Sequence, residues 1–345
     1  MNLVSPRMPA EWEPHEATWL AWPQNPADWP GKLTPVAWAY VEIVRLLAPH
    51  ERVEIIVDSE ARERRVRRML ADAGVDLDRV GFHRMPTDRS WVRDSGPTFV
   101  STANGPAAIC WQFNAWAKYS NWRRDAEVGG RIAEIAGARA VHPEAEGRRI
   151  TLEGGAIDVD GAGLLLATEE CLLSPVQERN PGWSREDYER LFAETLGVRQ
   201  TIWIPHGIVG DDTHGHIDDT ARFVEPGRAA ACVELDSRDE NRRLLSENLK
   251  ALRAAGLEVI ELPMPRPLFF RGVRVPASYA NFYVANGRVL VPTFNDPHDR
   301  LALATLAAAF PDRETIGVHS VDLVWGFGTL HCSTQQQPAV PKRGV

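Results

Sequence analysis

Five times along the chain an amphipathic helical stripe gives way within a few residues to a strand-like run, and this repetition constrains the fold more than any single motif. The stripes cover 36–48, 123–136, 185–196, 238–255 and 299–310, and the runs after them are 53–57, 139–142, 200–204, 257–261 and 314–318. Ahead of several helices lie two further β-like runs, such as 156–159 with 163–167 and 221–224 with 229–233. The pair 279–285 and 288–292, joined by Asn286-Gly287, is the best hairpin signal in the chain. The fourth helix has the clearest ends: Ser237-Arg238-Asp239-Glu240 fits a capping box, Leu244, Leu245, Leu249 and Leu252 form one stripe, and Gly256 can close it in the left-handed conformation. The expected unit is therefore strand, strand, helix, strand, recurring near every sixty residues, with an extra helix over 60–73 in the first unit. Five such units can close into a ring of α/β class, and an open α/β sandwich is the plain alternative.

No low-complexity linker divides the 345 residues, so a single domain over 1–345 is expected, with a short flexible tail at about 339–345. A 44% hydrophobic content suits a globular chain with a sizeable core. The start, Met1-Asn2-Leu3-Val4-Ser5-Pro6-Arg7, lacks the apolar core of a signal peptide, and charges or prolines interrupt every candidate span, so a cytoplasmic location is expected. Net charge −8 with no basic run speaks against nucleic acid or an anionic membrane as partner and suits a small cationic substrate. The four cysteines form no Cys-x-x-Cys pair. Cys110 and Cys232 lie in apolar runs and read as core thiols, Cys171 less clearly so.

Cys332 differs, because it stands between a Gly-rich approach, Gly326-Phe327-Gly328, and a polar exit, Ser333-Thr334-Gln335-Gln336-Gln337. A thiol in such a setting is a candidate nucleophile, and His216 is the candidate proton carrier. His331, adjacent in an extended loop, would point the other way and reads as a supporting group. His214 would share a face with His216, and His214-x-His216-x-Asp218 with Asp219 invites a lesser metal reading that Asp94 and Glu153 could complete. Asp94, Glu153 and the cluster 216–218 each precede the first strand of a unit, so a closed ring would gather them at one end of its axis. Carboxylates beside a Cys/His pair suit a cationic electrophile: two of them can hold a planar guanidinium in bidentate fashion with its carbon before a thiolate. Taken singly, Asp94 after Arg93 also reads as an ion-paired structural residue, and Glu153 before two glycines as a turn residue.

The chain resembles the agmatine deiminase and bacterial peptidyl-arginine deiminase family of guanidine-modifying enzymes nearly end to end. The matching segments are 8–19 with 21–23, 91–97, 113–116, 152–155, 168–173, 215–218, 276–283 and 331–338. This resemblance implies a five-bladed α/β propeller, the pentein fold, with pseudo-fivefold symmetry and no cofactor or metal. It also implies Cys332 as nucleophile, His216 as acid and base, Asp94 and Asp218 as guanidinium holders, and Glu153 as a further site carboxylate. Agmatine would yield N-carbamoylputrescine and ammonia through a covalent thiouronium, which would make the chain part of putrescine and polyamine metabolism. Asp212, four residues before His216, is a candidate for the distal ammonium, with a solvated turn as the plain reading, and Trp91 for lining the methylene channel. Departures fall at Ala117-Lys118 and at 324–330, where family members usually carry glycine-rich sequence. Deimination of arginine or peptidyl arginine, an amidinotransferase, and a non-catalytic guanidinium binder are the alternatives, and a homo-oligomer is left open.

Overall fold

The computed structural model describes residues 3–339, so all of the expected tail but Ala339 lies outside the described residues. Ala339 is tied down, its N–H donating to Pro14 O at 2.8 Å.

Five sheets share one plan: a strand, an antiparallel neighbour, and a third strand parallel to the second. Thr98–Thr102, Gly105–Ile109 and Arg139–Val141 make one; Asp158–Val159, Leu164–Thr168 and Gln200–Ile204 another. Ala221–Glu225, Arg228–Val233 and Glu258–Pro263 follow, then Tyr283–Ala285, Arg288–Thr293 and Glu314–His319. In the remaining sheet Thr334–Pro338 runs antiparallel to His15–Ala21, which pairs in parallel with Arg52–Val57, and Val80–Arg84 adds an edge. The ends of the fold thus complete one sheet between them. A parallel step needs a crossover, and the helices Val128–Ile135, Arg185–Leu196, Asn241–Ala254, Asp299–Ala309 and Leu33–Leu47 supply it. Leu33–Leu47 buries Val36, Tyr40, Val44 and Leu47, the spacing that puts one face on a sheet, and each such burial contributes roughly 1.5–3 kcal/mol.

Several expected ends are displaced. The helix expected from 123 begins at Val128, because the buried Asp125 carboxylate turns away to accept Asp88 N (2.7 Å) and Arg89 N (3.3 Å). The box expected at Ser237 does not form: Asp239 Oδ1 accepts Asn241 N and the helix starts at Asn241. Of its leucine stripe, Leu245 and Leu252 are buried and Leu244 and Leu249 half-buried, and Gly256 takes φ +87°. A capping box is instead found at Ser184 with Asp187. Of the run 279–285 expected ahead of Asn286-Gly287, only Tyr283–Ala285 is strand, and Tyr279–Asn281 is a 3₁₀ turn.

A single helical turn precedes the first strand of each of these five sheets: Val92–Ser95, Gly154–Ala156, Ile217–Asp219, Tyr279–Asn281 and Leu330–Ser333. Each touches the next, and Leu330–Ser333 touches Val92–Ser95. Glu11 reaches into this circle, with Arg93 Nη2 at 3.1 Å, Arg222 Nη2 at 3.0 Å, His331 Nε2 at 2.9 Å and Val284 N at 2.8 Å. A buried charge survives only when paired, and here four units share one carboxylate. Burial opposes ionisation of Glu11, yet Arg222, His331 and Arg93 hold its pKa well below the usual carboxylate range. Among the described residues no helix is long and apolar enough to cross a membrane.

Candidate active site

Four of the five turns carry, or directly follow, the side chains that the sequence singles out. Asp94, Asp218 and Cys332 lie on three of them, Glu153 caps a fourth, and His216 caps the turn of Asp218. They meet below a cavity of about 300 Å³ whose lining includes Cys332, Asp94, Trp91, Trp116, Tyr119 and Asp212. His216 Nδ1 lies 3.9 Å from Asp94 Oδ1 and 4.0 Å from Asp218 Oδ1, and its Nε2 lies 3.7 Å from Glu153 Oε2. Cys332 Sγ is 3.5 Å from Asp218 Oδ2. Both His216 nitrogens and Asp218 Oδ1 are buried without a hydrogen-bond partner. Such orphans are costly, and three of them around one space mark where a polar guest fits. Gly155 keeps that space open: a Cβ there would stand 2.5 Å from His216 Nδ1 and 2.9 Å from Asp94 Oδ1.

Charge is divided sharply among these groups. Burial lifts the Asp94 carboxyl to about 6, with Asp218 and Glu153 adding to the rise and His216 opposing it. Burial also works against a charged His216, but Asp94 and, after it, Cys171 and Glu153 outweigh it and hold the imidazolium well above its ordinary pKa. Glu153, despite burial, is held low by Arg179 and His216, and Asp218 likewise by His331 and His216. Burial, then the Asp218, Asp219 and Asp94 charges, push the Cys332 thiol well above its ordinary pKa. The resting site therefore pairs a thiol with an imidazolium among carboxylates.

Three supporting groups were not singled out as site residues by the sequence. Asn281 Nδ2 donates to Cys332 Sγ (3.1 Å) and to Asp219 Oδ1 (3.1 Å), while Oδ1 accepts from Thr329, His331 N and Cys332 N. Arg179 Nε donates to both oxygens of Glu153 at 3.0 and 3.2 Å, and its other nitrogens bind Gln177 O and Thr213 O. Cys171, expected only as a doubtful core thiol, lies fully buried beside His216 and Glu153. His331 is not in an extended loop but in the turn of Cys332, and bridges Asp218 Oδ2 (2.7 Å) to Glu11. Arg93, read as a partner for Asp94, instead binds Glu11 and Gln336.

Of the donors in the lesser metal reading, His216, Asp218, Asp94 and Glu153 come together and His214 does not. His214 takes φ +66° and turns its Nε2 to Ser174 Oγ at 3.1 Å, away from His216. Glu153, Cys171 and His216 do bring three donor atoms within 4.8 Å of one another. Arg179 already occupies both oxygens of that carboxylate, so a divalent cation would meet a fixed guanidinium.

Above the floor, Trp91 packs on Trp29 with ring centroids 5.1 Å apart, and Trp116 Nε1 donates to Asp94 Oδ2 at 2.9 Å. Ala115, Trp116 and Ala117 all have positive φ (52°, 59° and 53°), a strained left-handed run at a functional position. That run delivers Lys118 Nζ to Asp212 Oδ1 and Tyr119 Oη to Asp212 Oδ2, the latter at 2.6 Å. Asp212 was expected to face a ligand, and in this structure it carries these two partners.

The mixed α/β fold is that of solved agmatine deiminases. The enzyme of Enterococcus faecalis superposes with a TM-score of 0.87 at 31% identity, covering 97% of this chain and 96% of that one. A cysteine-to-serine variant of the C. Jejuni enzyme with substrate bound gives 0.87 at 28%, covering 96% of each. Agmatine deiminase of Stutzerimonas stutzeri is 36% identical over 362 residues, 96% of this chain and 95% of the relative. The chain matches the family described as Porphyromonas-type peptidyl-arginine deiminase over residues 7–338, and it belongs to that family.

Proposed function

We propose that this protein hydrolyses the guanidinium of agmatine to N-carbamoylputrescine and ammonia. The buried, unpartnered Asp218 Oδ1 carries this reading, because with the Asp94 carboxyl and Cys332 lining the same cavity it offers acceptors to the N–H groups of a planar cation. Asp94 and Asp218 hold the N–H groups, which places the guanidinium carbon before Cys332 Sγ. The incoming positive charge favours loss of the Cys332 proton to solvent, and the resulting thiolate attacks the carbon to give a neutral tetrahedral adduct. His216 then gives its proton to the departing nitrogen, and ammonia leaves a thiouronium on Cys332. Neutral His216 takes a proton from water, the hydroxide oxygen adds to the same carbon, and C–S cleavage returns Cys332 with the ureido product. Glu153, fixed by Arg179, steadies the imidazolium from its other side. The five like sheets and the closed circle of turns support a single catalytic domain built as a five-bladed α/β propeller.

Rapid-quench mass spectrometry during agmatine turnover tests the reading. An adduct on Cys332 with ammonia release supports it; no adduct at any time, or full turnover by Cys332→Ser, would remove the covalent route. Release of ammonia to water rather than transfer of the amidino group to an added amine separates a deiminase from an amidinotransferase.

A further inference from the structure

Both carboxylates at the mouth of the cavity are already neutralised by the protein's own cations. Asp212 is bound by Lys118 Nζ and Tyr119 Oη, and Asp28 Oδ1 accepts Arg89 Nη1 at 2.7 Å. Arg89 itself lies over the rings of Tyr119 and Trp116, 4.1 and 5.6 Å from their centroids, so the mouth presents two cations. Asp94 is the next carboxylate inward, and its oxygens are engaged by Trp116 Nε1 and Gly155 N.

We propose that Lys118 is a specificity-determining residue that cancels the reward for a distal positive charge, so the site also accepts guanidines with a neutral or anionic far end. The proposal rests on the deiminase reading and deepens it. A distal ammonium reaching Asp212 must share the carboxylate with Lys118, a like charge, while a methyl group there disturbs nothing. A distal carboxylate meets the Lys118–Asp212 and Arg89–Asp28 pairs in place of bare carboxylates, so it is not repelled as it would be without Lys118. The Lys118 side chain is 39% exposed, so it can also turn out to solvent, and the preference is weakened by Lys118 rather than reversed.

The test is a ratio of kcat/KM values for agmatine, pentylguanidine and 5-guanidinopentanoate, in which any general loss of activity cancels. In the unaltered protein agmatine should exceed pentylguanidine by less than about tenfold. Lys118→Ala should raise that ratio by about tenfold or more, mainly through the KM for agmatine, and lower the relative use of 5-guanidinopentanoate. In the double variant Lys118→Ala/Asp212→Asn the gain should vanish, because the freed carboxylate is then gone. An agmatine preference unchanged within about twofold in Lys118→Ala, or one already exceeding about a thousandfold in the unaltered protein, would overturn the proposal. Absence of ammonia from all three compounds would instead remove the deiminase reading, and this proposal with it.

Discussion

Asn281 grips Cys332 with both ends of its amide: Nδ2 lies 3.1 Å from Sγ, and Oδ1 accepts the backbone N–H at 3.3 Å. One side chain from a neighbouring turn thus fixes the nucleophile's position and offers its sulfur a hydrogen bond. Asn281→Ala should lower kcat by about 10–100-fold with a smaller effect on KM, since a displacement of roughly 1 Å costs that much. Steady-state kinetics checks it, and a change confined to KM would remove the positioning role.

The pH profile should follow Asp94. With its carboxyl at about 6 in the free protein, Asp94 is protonated below that value and cannot counter a guanidinium charge. As pH rises through about 6 the carboxylate forms, so kcat/KM should climb more steeply below that value than above it, where loss of the Cys332 proton still raises it. A flat profile from pH 5 to 8 would exclude Asp94 from binding.

Cys332 in the free protein should be slow to alkylate. Burial and three nearby carboxylates keep it as a thiol at neutral pH, so its iodoacetamide rate should still be rising at pH 9. A rate that reaches its plateau below pH 7.5 would show a thiolate already formed without substrate.

Exhaustive chelation should leave turnover within about twofold of the starting value, because Arg179 holds the carboxylate a metal would need. Loss of activity on chelation, restored by a divalent ion, would bring back the metal reading.

The sequence carried the crossover helices and most strands legibly, because each lays an apolar stripe or run against a core. It hid the strand Thr334–Pro338, whose residues are polar. In the fold Gln336 Oε1 accepts Arg93 Nη1 at 2.6 Å and Gln337 Oε1 accepts Trp19 Nε1 at 2.9 Å, so side-chain hydrogen bonds do the work that apolar burial does elsewhere. The turn of Cys332 was hidden for a related reason: four residues are too few to show a period, and their helical bend reverses where His331 points. Arg179 stands in the polar run Gln177-Glu178-Arg179-Asn180 and Asn281 in an apolar stretch that reads as strand, and only the folded neighbours give them a task. Asp212 shows the converse, since residues 94 apart in sequence, Lys118 and Asp212, become partners through a left-handed run that no propensity favours.

The strand Thr334–Pro338 begins one residue after the turn of Cys332 and ends against His15–Ala21. The thiol is therefore mounted on the clasp that joins the two ends of the fold. A ribosome-bound chain lacking those last strand residues would own every carboxylate and His216 but no seated nucleophile. Chemistry should switch on only when the circle is fastened, which would make turnover itself a gauge of closure: loss of activity in denaturant should coincide with release of this strand, even where the other four three-stranded sheets persist.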